Sequence, residues 1–138
     1  MDPNHVTITG NLTRDPELRF TASGLATLTV GVAYNRRVKD DAGQWGDGPP
    51  SFFNVTCWRE LAENVAESCH RGDKVTVSGR LEQRSWEKDG EKKSSVDVVA
   101  DDVAVSLQRA TVTVARNQRV TVEQGEVPRD AVAYDEPF

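Results

Sequence analysis

Two cysteines, two histidines and one methionine are all that the 138-residue chain offers to thiol, imidazole or thioether chemistry. So few cysteines cannot form a disulfide-dense scaffold. A structural zinc site needs four ligands, and Cys57, Cys69, His5 and His70 show no paired spacing. His5 and His70 read as surface residues, and Cys57 and Cys69 as inert packing. No apolar run approaches the roughly 18 residues of a membrane span, and residues 1–5 lack the basic-then-apolar opening of a signal segment. A cytoplasmic, reducing setting without membrane contact is the expectation. A phosphate-cradling GxxxxGK[ST] loop, a nucleophile elbow and internal repeats are missing too. No enzyme, cofactor or metal site is therefore expected.

Excess positive charge is also lacking. Lys and Arg number 17 against 22 Asp and Glu, a net charge of −5. Up to Ala110 there are 14 basic and 17 acidic residues, and after it 3 and 5. An indiscriminate polyanion binder is usually basic overall. Any nucleic-acid site must then be a local arrangement of basic and aromatic groups.

What is present is strand material. Val6, Ile8 and Gly10 alternate with Thr7 and Thr9, and residues 11–16 carry turn chemistry ending at Pro16. After a turn at Ser23-Gly24, the alternation returns with Ala26, Leu28, Val30, Val32 and Tyr34 on one face. Gly31 inside that strand suggests a bulge or bend. Residues 38–51, rich in Asp, Gly and Pro, read as a long mobile loop carrying Trp45. From 52 to 58, Phe53, Val55 and Cys57 share one face, and Phe52, Asn54, Thr56 and Trp58 share the other.

The period changes over residues 59–70. Leu61, Val65 and Cys69 recur every fourth residue beside Ala62 and Ala66, which predicts one amphipathic helix capped by Gly72. Residues 73–86 form a strand with Val75, Val77, Gly79 and Leu81 inward and Arg80, Arg84 and Trp86 outward. Asp89-Gly90 is a hairpin turn, and a strand resumes from Ser94 to about Leu107. Thr111–Val114 and Arg119–Val122 read as two short strands, and the chain from Glu123 as a disordered acidic tail.

Three strands, one helix, then two long strands make an all-β order. It fits the five-stranded oligonucleotide/oligosaccharide-binding (OB) barrel with a helix after the third strand and a C-terminal extra-strand extension. An ordinary β-sandwich is the competing architecture. The expected division is 1–110 for the barrel, 111–122 for the extension and 123–138 for the tail.

The outward set Phe52, Trp58 and Trp86, interleaved with Asn54, Thr56, Arg80 and Arg84, suits unpaired bases stacked on rings with phosphates on Arg. Stacking contributes ~1–3 kcal/mol per base and tolerates any sequence. Asn35, Arg36, Arg37 and Lys39 extend the set, as do Lys88, Lys92 and Lys93, although Glu87, Asp89 and Glu91 neutralise those three. Each ring could equally pack on a loop or a neighbouring subunit. An assembly module resembling primosome components and an oligosaccharide binder are the other readings of such a barrel.

Residues 6–20 (VTITGNLTRDPELRF), 54–66 (NVTCWRELAENVA) and 71–81 (RGDKVTVSGRL) together resemble bacterial single-stranded DNA-binding proteins, in the right order and over about residues 4–114. The second motif and the 110–122 extension resemble actinobacterial members, in which the extra segment clasps the neighbouring subunit. The resemblance implies a homotetramer of OB barrels that single-stranded DNA wraps, acting in replication, recombination or repair on the nucleoid. The family's stacking aromatics fall on Phe52, Trp58 and Trp86. Arg36 stands where many members have Trp, and Asn54 where Arg is frequent. The family's acidic tip docks replication and repair enzymes. Here Asp135, Glu136, Pro137 and Phe138 are its counterpart, shorter and without the isoleucine, which suggests an accessory paralogue.

Overall fold

Alternation of small β-branched residues sets the inner face of one continuous sheet. The computed structural model describes residues 2–118. Its elements are β1 (His5–Leu12), β2 (Arg19–Phe20), β3 (Ala26–Lys39), β4 (Trp45–Trp58), α1 (Arg59–Ser68), β5 (Lys74–Lys88) and β6 (Glu91–Val105). The sheet order is β1-β5-β6-β4-β3-β2. An additional pairing of Asn11 and Leu12 with Ala33 and Val32 bends β1 back to β3. All strand contacts are antiparallel except β4 with β6.

Leu28, Val30 and Val32 from β3, Val55 and Cys57 from β4, Val75 and Val77 from β5 and Val98 from β6 form the buried centre. Ala62 and Val65 of α1 close one side of it, joined by Cys69 just past the helix end. On β6 the alternation is interrupted. Gly79 faces Ala100 while Ser78 faces Asp102, so Asp101 is an extra residue. This bulge lets Val98 and Ala100 before it, and Val103 and Val105 after it, all join the core.

Several expectations are corrected. Residues 38–51 are not a long loop. β3 and β4 continue as a hairpin in which Lys39 pairs Trp45, and only residues 40–44 connect them. Asp40 organises that turn by accepting hydrogen bonds from the Ala42 and Gln44 amides at 2.9 and 2.8 Å. Pro49 and Pro50 are tolerated because β4 meets β6 only near Val55 and Thr56, leaving its far half a sheet edge. The β5–β6 arm is likewise strand almost to its tip, with Lys88 opposite Glu91.

Gly31 marks no bulge. Its Cα–H side is covered by Thr13, whose Oγ1 lies 2.5 Å from where a Cβ would stand. The β3–β4 register shift falls instead between Asn35 and Arg37. Gly72 does not cap α1. Cys69 ends the helix, and Gly72, with φ +92°, turns the chain into β5 while its amide donates to the Leu12 carbonyl at 2.8 Å.

Tyr34 and Leu81 are exposed despite their inward parity, because both hairpins run beyond the core. Thr111–Val114 has no strand pairing among the described residues, and Arg119–Val122 lies outside them, as does the tail with Asp135, Glu136, Pro137 and Phe138. The short β2 adds a fourth strand before the helix.

Candidate nucleic-acid interface

The register places the outward side chains of three strands on one surface. On β4, Phe52, Asn54, Thr56 and Trp58 stand opposite Ala33, Gly31, Thr29 and Thr27 of β3. On β5, Arg80, Arg84 and Trp86 stand opposite Val99, Ser95 and Lys93 of β6. Since β6 lies between β4 and β5, with Val55 paired to Val98 and Thr56 to Val99, the two sets share a face. At about 3.3 Å per residue, Phe52 and Trp58 mark points about 20 Å apart along β4.

The aromatic rings are open. Phe52 is 68% exposed, Trp58 41% and Trp86 38%. Exposed rings grouped on the sheet face opposite a packed core mark a candidate interaction surface. Small polar residues keep the floor between them low. The Thr29 and Thr56 hydroxyls lie 3.3 Å apart, and Arg14 crosses from the β1–β2 connection to donate to the Thr29 carbonyl at 3.0 Å.

A carboxylate anchors the middle of this face. Asp97 is 7% exposed. Its Oδ2 accepts a hydrogen bond from Arg84 Nε at 2.8 Å and its Oδ1 one from Ser95 Oγ at 2.6 Å, and the Asn54 side chain is a third partner. Burial by itself would raise the Asp97 pKa. The bonds from Ser95 and Arg84, the guanidinium charge and the Asn54 bond outweigh it and hold the carboxyl below its ordinary value. Arg84 in turn lies over Trp86, its Cζ 4.6 Å from the ring centroid. Alternation along the last strand reads Asp97 as a solvent-facing acid. Only the convergence of Asn54, Arg84 and Ser95 from three strands reveals its burial.

The remaining basic residues are more scattered. Arg80 pairs with exposed Glu82 at 3.4 Å, and Lys93 with Glu91 at 3.7 Å. A shallow hollow of about 570 Å³ beside Trp86 is lined in part by Lys92 and Lys93. Asn35, opposite Pro50, continues the outward row of Ala33 and Phe52, and Arg36 and Arg37 lie beyond it. They sit at the register shift of the β3–β4 hairpin, where Asn35 Nδ2 donates to the Gly48 carbonyl at 3.3 Å and Arg37 pairs with Asp47 at 3.5 Å. Asn35 and Arg37 line a separate cleft of about 710 Å³ with Asn11, Tyr34, Lys74 and Arg109. Trp45 is exposed near the tip of the same hairpin.

Cys57 and Cys69 are both buried free thiols. Burial first, then the neighbouring Cys69, pushes the Cys57 thiol up to about 12, and burial and Asp73 raise Cys69. No group of three or more His, Cys, Asp or Glu among the described residues is arranged to hold a metal ion. No helix among them is long and apolar enough to cross a membrane.

Known proteins resemble this chain in sequence and in fold. The single-stranded DNA-binding protein of Mycobacterium leprae is 50% identical over 116 residues, covering 83% of this chain and 69% of its own length. The small single-stranded DNA-binding protein of Streptomyces coelicolor superposes with a TM-score of 0.67 at 32% identity, over 80% of this chain and all of that one (100%). A deletion mutant of the Thermus aquaticus single-stranded DNA-binding protein gives a TM-score of 0.65 at 38% identity over 77% of this chain, which spans about half (51%) of the Thermus chain. The model of the Single-strand binding protein family matches residues 3–106. With the sheet and this match in agreement, the chain belongs to the single-strand binding protein family.

Proposed function

We propose that the protein binds single-stranded DNA without marked sequence preference, laying unpaired bases across Phe52, Trp58 and Trp86. One observation carries this reading: three open rings and the Arg80 and Arg84 guanidinium groups share the sheet face that turns away from the core. Stacking supplies affinity that any base can satisfy, and the arginines meet phosphates. Asn54 and Thr56 line the path between the rings. Asn35, Arg36 and Arg37 contact the strand where it leaves this face along the β3–β4 hairpin.

The β1–β3 pairing supports reading the sheet as an OB barrel, with β2 an appendage to it. The edge of β1 that does not face β5 pairs with β3 only at Asn11 and Leu12, leaving strand backbone for a neighbouring copy in a homotetramer. Residues 111–122 serve as a clasp between copies, and Asp135, Glu136, Pro137 and Phe138 as a docking tip for replication, repair or recombination enzymes. The role is protective and non-catalytic, in the cytoplasm on the nucleoid. It needs no cofactor.

Titration of a fluorescein-labelled dT oligomer, followed by anisotropy at several salt concentrations, tests the reading. Saturable binding whose log affinity falls by about 0.7 per neutralised phosphate per log unit of salt supports it. Absence of binding at moderate salt overturns it in favour of an assembly module. Light scattering with and without the oligomer counts subunits in the same samples.

A further inference from the structure

A negative charge in the middle of a surface that receives a polyanion has the wrong sign for binding. Asp97 holds that position, buried to 7% exposure and flanked by Asn54 of β4 and Arg84 of β5. Its value must lie in what it holds. Arg84 gives its Nε to Asp97 Oδ2 at 2.8 Å, which leaves both Nη groups without a protein partner among the described residues. The same guanidinium lies 4.6 Å from the Trp86 centroid and so covers one side of that ring. Ser95 Oγ locks the other carboxylate oxygen at 2.6 Å, so the acceptor cannot swing to follow a moving arginine. Both Arg84 and Asn54 carry long or adaptable polar groups, and ordering them before ligand arrives removes an entropic cost from binding.

From this geometry we propose that Asp97 is a positioning residue for single-stranded DNA. It fixes Arg84 over one side of Trp86 with its Nη groups turned to the ligand, and it orients the Asn54 amide. One side of Trp86 is then reserved for the arginine and the other for a base. The phosphate of that nucleotide meets a guanidinium already aimed by its Nε bond. Asp97 itself touches no nucleotide. The inference rests on the proposed single-stranded DNA binding.

The two possible roles of Asp97 have opposite signs, which makes the test direct. If the carboxylate only contributes charge, Asp97→Asn removes repulsion and tightens binding of the full chain to a dT oligomer. If it positions Arg84, Asp97→Asn weakens binding about ten- to a hundredfold, the scale of one charge-assisted contact. The salt slope then becomes shallower by about 0.7, the share of one phosphate. In an Arg84→Ala background, Asp97→Asn then adds less than about a twofold loss, because its main client is already gone. Arg84→Lys, which keeps the charge and loses the planar fork, weakens binding nearly as much as Arg84→Ala. This arm stands even if Asp97→Asn unfolds, which thermal melting reports. Equal or tighter binding by Asp97→Asn, fully additive losses, or wild-type affinity in Arg84→Lys would each overturn the inference. Failure of the wild-type chain to bind the oligomer would instead remove the functional reading beneath it.

Discussion

Cys57 and Trp58 are neighbours in sequence and belong to different chemistries. Cys57 points into the core with Leu28 and Val55, while Trp58 points out beside Thr27. The same contrast runs along the whole sheet. The inner face is made of small, branched and apolar groups whose energy comes from removal from water. The outer face carries threonines, guanidinium groups and open rings that add little to folding. One face holds the protein together and the other is left free to be covered. Substitutions should therefore separate cleanly into those that change stability and those that change binding.

The sharpest test of that separation is Phe52→Ala combined with Trp58→Ala and Trp86→Ala. Each ring should cost ~1–3 kcal/mol of DNA binding, so the triple variant should lose measurable affinity for poly(dT) in an anisotropy titration. Its urea midpoint should move little. A large fall in stability would mean the rings belong to the core side of the comparison.

The converse is Leu28→Ala, which should lower unfolding free energy by about 2–5 kcal/mol in denaturant titration. Affinity per folded molecule should stay unchanged. Gly79→Ala belongs to the same class, since its Cβ would stand 2.2 Å from the Val99 carbonyl oxygen and neither backbone can yield easily. A cost of about 1–3 kcal/mol is expected.

A smaller effect of opposite sign is expected where the alternation stops. Arg59, the first residue of α1, has φ +60°, a left-handed conformation that disfavours a side chain. Arg59→Gly should raise stability by about 1 kcal/mol in thermal melting.

The smallest effect concerns pH. The Asp97 carboxyl is held below its ordinary value of 3.8, so its stabilising contribution is fully present above that value. It is lost only as pH falls through the lower folded-state value. Melting temperature should show no step from this group between about pH 5 and 8, and a decline should begin below about pH 4. A step near neutrality assigned to Asp97 by NMR would break the assignment.

Period-two alternation made the inner face legible from Val6 to Cys57, and period four made α1 legible from Leu61 to Cys69. The same parity sets Phe52, Trp58 and Trp86 on the outer face. What it could not supply was length and depth. Asp, Gly and Pro between Val38 and Ser51 carry turn signals, yet their strand edge has no partner to miss the proline amides, so the hairpin runs through them. Leu81 and Tyr34 have core parity on arms that outrun the core. Asp97 looks like a solvated acid in one dimension because Asn54 and Arg84 reach it from other strands, and only Ser95 is its neighbour in sequence.

The extra residue at Asp101 has a consequence for how this chain tolerates insertion and deletion. Removing it would take out the bulge and leave Ala100, Val103 and Val105 on the inner face opposite the same β5 partners, so the alternation of β6 would run unbroken. A residue lost at the hairpin tips near Ala42 or Gly90 would shorten an arm and leave both faces as they are. Length is thus a free variable at the ends of the arms and at a single aspartate in β6.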